Sequence, residues 1–150
     1  MSRPSLTLIH KVQNAWSPIT RLLDALQPLA ALLARLYVAK VFFLSGLTKP
    51  SDWGTTVALF TDEYKVSFLP PALAAAMGTA GELVLPVLLV LGLAGRFSAL
   101  GLFIVNGAAV IALSDVAPAA LQQQVLWGTL LIALAIYGLG PWAGDKWLER

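Results

Sequence analysis

One stretch limits what this chain can become: Ala72 to Arg96, reading ALAAAMGTAGELVLPVLLVLGLAGR. It is long enough to cross a bilayer as a helix, which takes about 20 apolar residues. Between Ala72 and Leu93 its single charge is Glu82, and Pro86 stands four residues later. Proline has no N–H, so the carbonyl of Glu82 loses its helical hydrogen-bond partner. A carboxylate and a freed carbonyl then share one depth, where lipid satisfies neither. An acid inside a span is costly and needs a partner, so the rest of the chain is read for what it brings to Glu82.

The composition agrees with a membrane setting. Hydrophobic residues make up 58% of the 150 and charged residues 12%, against about 25% charged in soluble domains; the mean hydropathy is +0.77. We therefore read an integral membrane protein whose first partner is the lipid bilayer. A net charge of +2 is too small and dispersed for nucleic acid. With no cysteine there is no disulfide or thiolate metal site. The one histidine, His10, falls outside the spans, so no metal site is assigned. The first 28 residues are amphipathic and show no cleavable signal pattern.

The pattern predicts an all-α, integral membrane four-helix bundle. It has an N-terminal interfacial amphipathic helix and a short interfacial helix between spans one and two. Ser17-Pro18 suits an N-cap and first helical position, with a helix to about Leu26 lying in the membrane surface and Trp16 at headgroup level. Residues 1–28 form that segment, 29–143 the four-span domain and 144–150 a cytoplasmic tail. The first span, about Leu29 to Leu47, carries Arg35 near one end, from which it can snorkel, and Lys40 deeper. Ser51-Asp52 can cap a short helix whose Trp53, Val57, Phe60 and Tyr64 recur at helical spacing. We read it as an interfacial lid, with Trp53, Phe60 and Tyr64 as its candidate residues; a stripe of this kind is more often plain packing than a ligand surface. Pro70-Pro71 starts the second span. The third, about Phe97 to Ala117, has Asn106 near its middle and Ser114 and Asp115 near its far end. The fourth runs from about Leu121 to Gly140.

Arg3, Lys11, Arg21, Arg96, Lys146 and Arg150 fall on one side of this arrangement, and Lys49 and Lys65 on the other. The excess of positive charge places both termini in the cytoplasm. Counting depth from each span's ends puts Lys40, Glu82 and Asn106 near the midplane. The economical arrangement pairs Lys40 with Glu82, adds a bond from Asn106, and leaves Arg35 as a second cation. Two readings stay open: a polar staple that fixes helix packing, or a polar pocket for a small ligand.

These residues resemble the DoxX family of small four-span membrane proteins. The likeness rests on Arg35, Phe43-Leu44-Ser45-Gly46-Leu47-Thr48-Lys49, Asp52-Trp53, Leu59-Phe60, Pro70-Pro71, Gly81-Glu82-Leu83, Leu85-Pro86, Leu91-Gly92-Leu93, Arg96 and Trp127-Gly128. It covers about residues 29–143. The resemblance implies a four-helix bundle of the DoxX/DoxD type in a bacterial inner membrane. It further implies a link to thiosulfate:quinone oxidoreductase or quinol oxidase assemblies, to oxidative-stress complexes, or to copper-handling systems.

The leading expectation is an accessory or anchoring subunit of a membrane redox, stress-response or metal-handling assembly, not catalytic by itself. Its partners would be other membrane or redox proteins, or further copies of the chain. The second is a quinone-binding oxidoreductase subunit in which Glu82 and Lys40 exchange protons with a headgroup beneath the lid; quinone is the one cofactor this allows. A small oligomeric transporter ranks last, because matching broken helices are not evident in the two halves.

Overall fold

The computed structural model describes residues 4–64, 68–112 and 117–148, with side chains from Trp16 onward except those of residues 112 and 148. Ser114, Asp115 and Lys65 lie outside the described residues. Among the described residues six helices follow in order: α1 (Pro4–Ser51), α2 (Trp53–Asp62), α3 (Pro71–Leu91), α4 (Gly95–Ala112), α5 (Pro118–Tyr137) and the short α6 (Asp145–Leu148). No strand occurs among the described residues. Helices α1, α3 and α5 are long and apolar enough to cross a membrane; α4 is apolar but shorter over its described part, Gly95–Ile111.

The N-terminal segment is helical, but it is not a separate helix. Helix α1 runs without a break through Ser17-Pro18, and Pro18, Pro28 and Pro50 all lie inside it. Proline removes one backbone bond and crowds the preceding turn; the turns on either side keep their bonds, and the helix continues. The other proline signals act as starts. Pro71 and Pro118 each sit in the first turn of their helices, where a missing N–H costs nothing. Asp52 alone caps α2, accepting from the Thr55 amide at 3.1 Å and the Thr55 hydroxyl at 2.7 Å. Those two bonds hold its carboxyl below the usual carboxylate range. Ser51 instead ends α1.

Helix α1 packs chiefly on α3, α3 on α4 and α4 on α5, while α5 returns to touch α1. The core joins Val38, Ala39 and Phe42 of α1 to Leu89 of α3, Ala99 and Leu102 of α4, and Leu131 and Leu134 of α5. The α1–α5 edge is closed by the Phe42 and Trp127 rings, 6.0 Å apart and edge to face, and by the Trp127 indole donating to the Tyr37 hydroxyl at 3.3 Å. Leu33, Leu44, Val84, Ile104, Ile111 and Ile136 stay exposed around the outside. In water that much apolar surface would mark an interaction site; for a membrane bundle it is the lipid-facing surface.

At one end the residues after α5 fold back over the α3–α4 turn. Gly92 takes the left-handed conformation (φ 70°), and a Cβ there would lie 2.7 Å from the Ala143 Cα and from the Gly144 nitrogen. The Gly144 amide donates to the Leu91 carbonyl (3.2 Å) and the Asp145 amide to that of Gly92 (2.9 Å). The Asp145 carboxylate then accepts from the Ala94 and Gly95 amides, both at 2.8 Å. It therefore caps α4 from a distant point in the chain, against the positive end of that helix. Asp145→Ala is expected to lower stability by about 1–2 kcal/mol, and Asp145→Asn, which keeps one acceptor oxygen, by less. Thermal unfolding of the purified protein in nanodiscs measures both; equal losses would show that the cap does not depend on the acceptor.

Candidate functional site

Glu82 faces α1, and its partner there is Lys49, not Lys40. The ammonium of Lys49 donates to Oε2 of Glu82 and, at 3.3 Å, to the Ser45 hydroxyl one turn back on its own helix. Both charged side chains are about one-eighth exposed (12% and 13%). The two backbones come together at this level. A Cβ on Gly46 would lie 3.0 Å from the Glu82 Cβ and 3.1 Å from its carbonyl carbon, the close approach that small residues allow between membrane helices.

Lys40 stays apart for two reasons. It sits level with Pro86, Val87 and Val90 in the antiparallel register, past Glu82 toward the other end of α3. It is also turned away from the α1–α3 seam and lines a groove of about 320 Å3 between those helices, walled by Leu36, Phe43, Pro86 and Val87. Its side chain is exposed and, among the described residues, makes no hydrogen bond or ion pair.

Tyr64, just after α2, lies within electrostatic range of Glu82. Phe60 lies against α3 so closely that a Cβ on Gly78 would be 3.1 Å from its ring. Its ring meets that of Tyr64 with centroids 4.9 Å apart. Thr56 ties α2 to the end of α1, its hydroxyl donating to the Lys49 carbonyl at 2.8 Å. Trp53, the third lid residue, stays exposed. Burial first, then the negative charges of Glu82 and Glu63, raises the Tyr64 phenol above the ordinary tyrosine value. The neutral phenol is the favoured form, so its contribution to stability is complete below the unfolded value of about 10 and is lost as pH rises through the folded one. The tyrosinate absorbance difference between the wild type and Tyr64→Phe is expected to titrate above that of free tyrosine. Glu82→Gln should bring it part of the way back; no movement would mean that Glu82 does not face Tyr64. A carboxylate, an ammonium and a phenol thus share one partly enclosed cluster, able to hold a polar group by hydrogen bonds.

Arg35 is no snorkelling cation. It is 1% exposed and spends its guanidinium on backbone carbonyls. Nε donates to Leu89 (3.1 Å), Nη2 to Val90 (2.5 Å), and Nη1 to Leu139 (3.2 Å) and Trp142 (3.4 Å). The first two are last-turn carbonyls of α3, at the negative end of the helix dipole; that of Leu89 also accepts from the Gly92 amide at 3.2 Å. Asn106 is also separate, between α4 and α5, where its Nδ2 donates to the Gln124 carbonyl at 3.0 Å.

The structure therefore divides the expected single centre into three: Arg35 at the α3 end, Lys49–Glu82 between α1 and α3, and Asn106 between α4 and α5. Lys49 is the site residue that counting depth alone missed. Among the described residues no group of three or more His, Asp or Glu side chains is placed to hold a metal ion.

Comparison with curated proteins yields no match, and comparison with solved structures yields none either. The DoxX family model matches residues 30–115, from within α1 to just past α4, and leaves α5 with Trp127-Gly128 outside. That is more than half of the chain, and on it this membrane protein belongs to the DoxX family.

Proposed function

We infer that the chain serves as an accessory or anchoring subunit of a membrane redox or stress-response assembly, metal-handling systems included. The observation that carries this reading is Lys40. Arg35, Lys49 and Glu82 are all engaged in holding the bundle together, whereas Lys40 stands on an outward apolar groove with no partner among the described residues. A membrane-embedded ammonium is costly alone, and a carboxylate on a neighbouring membrane protein would complete it. The redox or stress setting follows from family resemblance. Both termini are assigned to the cytoplasm of a bacterium, on the basic residues Arg21, Arg96 and Lys146 at one end of the bundle.

Extraction from native membranes in mild detergent, followed by native electrophoresis, tests this. Wild type should migrate in a larger assembly, and Lys40→Glu should cut the co-isolated partner by about tenfold or more, since like charges facing each other cost several kcal/mol. Wild type isolating alone, or the purified chain turning over quinone or thiosulfate unaided, overturns the reading.

A second reading, a quinone-binding oxidoreductase subunit, is favoured by the Lys49–Glu82 pair with Tyr64 nearby. Lys49 then takes the proton-exchanging place first given to Lys40. Loss of quinone binding in Glu82→Gln with the fold intact supports it, and unchanged binding removes it.

A further inference from the structure

Asn106 has a buried atom that nothing among the described residues satisfies. The side chain is 5% exposed, and its Oδ1 has no hydrogen-bond partner. Its orientation is fixed by chemistry, because the Gln124 carbonyl can only accept and so must receive the Nδ2–H. The free atom is thus an acceptor. A buried polar atom left unpaired costs about 1–3 kcal/mol, and native proteins keep few of them.

Asn106 lines a groove of about 470 Å3 between α4 and α5, with Phe103, Gly107, Leu121, Val125 and Ile132 among its walls. That volume is within the usual range of small-molecule sites, about 300–1,000 Å3. The groove opens onto the lipid-facing surface, where Ile111 and Val125 are 87% and 61% exposed. Space is available inside it, since a Cβ on Gly107 would meet nothing within 4 Å.

We propose that this groove binds an apolar molecule of the membrane through one hydroxyl group, which donates its hydrogen to Oδ1 of Asn106. A molecule of the same shape that has no hydrogen to donate, such as the corresponding methyl ether, leaves Oδ1 unpaired and binds more weakly. The site is distinct from the Lys49–Glu82 cluster and from the Lys40 groove, and stands or falls independently of both.

The test uses the full chain in nanodiscs and a long-chain primary alcohol carrying a photoreactive diazirine in its chain, followed by peptide mapping. Labelling is expected on the α4 and α5 peptides that line the groove. Excess unlabelled alcohol should compete it away at concentrations about tenfold lower than its methyl ether, the factor that one hydrogen bond of about 1.4 kcal/mol supplies. Asn106→Leu should reduce groove labelling by a similar factor. Gly107→Leu, placed where a Cβ meets nothing within 4 Å, should abolish it while the thermal midpoint holds. Equal competition by alcohol and ether in the wild type overturns the proposal and does not depend on any variant folding. So does a groove that labels only at background level, whether because a second copy of the chain covers it or because water fills it.

Discussion

Replacing Arg35 with methionine is expected to cost the bundle at least about 4 kcal/mol, in the range that single substitutions reach only when a buried polar network fails. Methionine fills much of the same volume, so packing is not the main loss. The loss comes from the carbonyls of Leu89, Val90, Leu139 and Trp142, which this guanidinium joins across α1, α3 and the segment after α5. Leu89 keeps the Gly92 amide as a donor, but each of the other carbonyls left unpaired costs about 1–3 kcal/mol, and bilayer offers no water in exchange. Arg35→Lys keeps the charge but gathers three donors at one point, too few and too close to span both groups of carbonyls; about half the loss should remain. The segment around Gly140 should loosen before α1–α3 does, because it has fewer other attachments. Denaturant unfolding in nanodiscs, with limited proteolysis near Lys146, checks both parts. An Arg35→Met protein as stable and as protease-resistant as the wild type would show that the guanidinium is dispensable there.

The membrane bundle, its long apolar helices and the start at Pro71 were legible in the sequence, because span length and proline chemistry are local properties. What was misread came from using depth alone. Counting residues from the ends of a span gives height but not direction, and consecutive residues on a helix point about 100° apart. Arg35, Ala39, Phe42, Gly46 and Lys49 follow one another at spacings of four, three, four and three, the repeat of a helix seam, and the first four are buried. On α3 the same spacing runs through Ala75, Thr79, Glu82, Pro86 and Leu89. Both seams were in the letters, and together they set Lys49 opposite Glu82 and leave Lys40, one residue past Ala39, on another face. Lys49 falls beyond a first span that ends at about Leu47, yet α1 continues to Ser51. By contrast, nothing local announces that Asp145 caps α4 or that the α3 end needs a guanidinium. Those contacts join residues some 50 or more positions apart and become visible only when the chain is folded.

If the seam is right, Lys49 and Glu82 should behave as one unit. Lys49→Met and Glu82→Leu are each expected to destabilise by about 3 kcal/mol, the lower end for breaking a buried pair, since both side chains keep some contact with the surroundings. The double variant should recover to within about 1 kcal/mol of the wild type, because neither charge is then stranded. Lys40→Met should do the opposite of Lys49→Met: with no partner to strand, removing that charge from a lipid-facing groove leaves stability unchanged or raised. Unfolding free energies for the four proteins of the cycle, with Lys40→Met as the control, decide the pairing, and a coupling of Glu82 to Lys40 in place of Lys49 would refute it. The double variant also separates the two functional readings, because it keeps the fold while removing the polar cluster. An assembly that still forms around it assigns Lys49 and Glu82 to holding helices together. A stable double variant that no longer binds quinone, when the wild type does, assigns them to the headgroup.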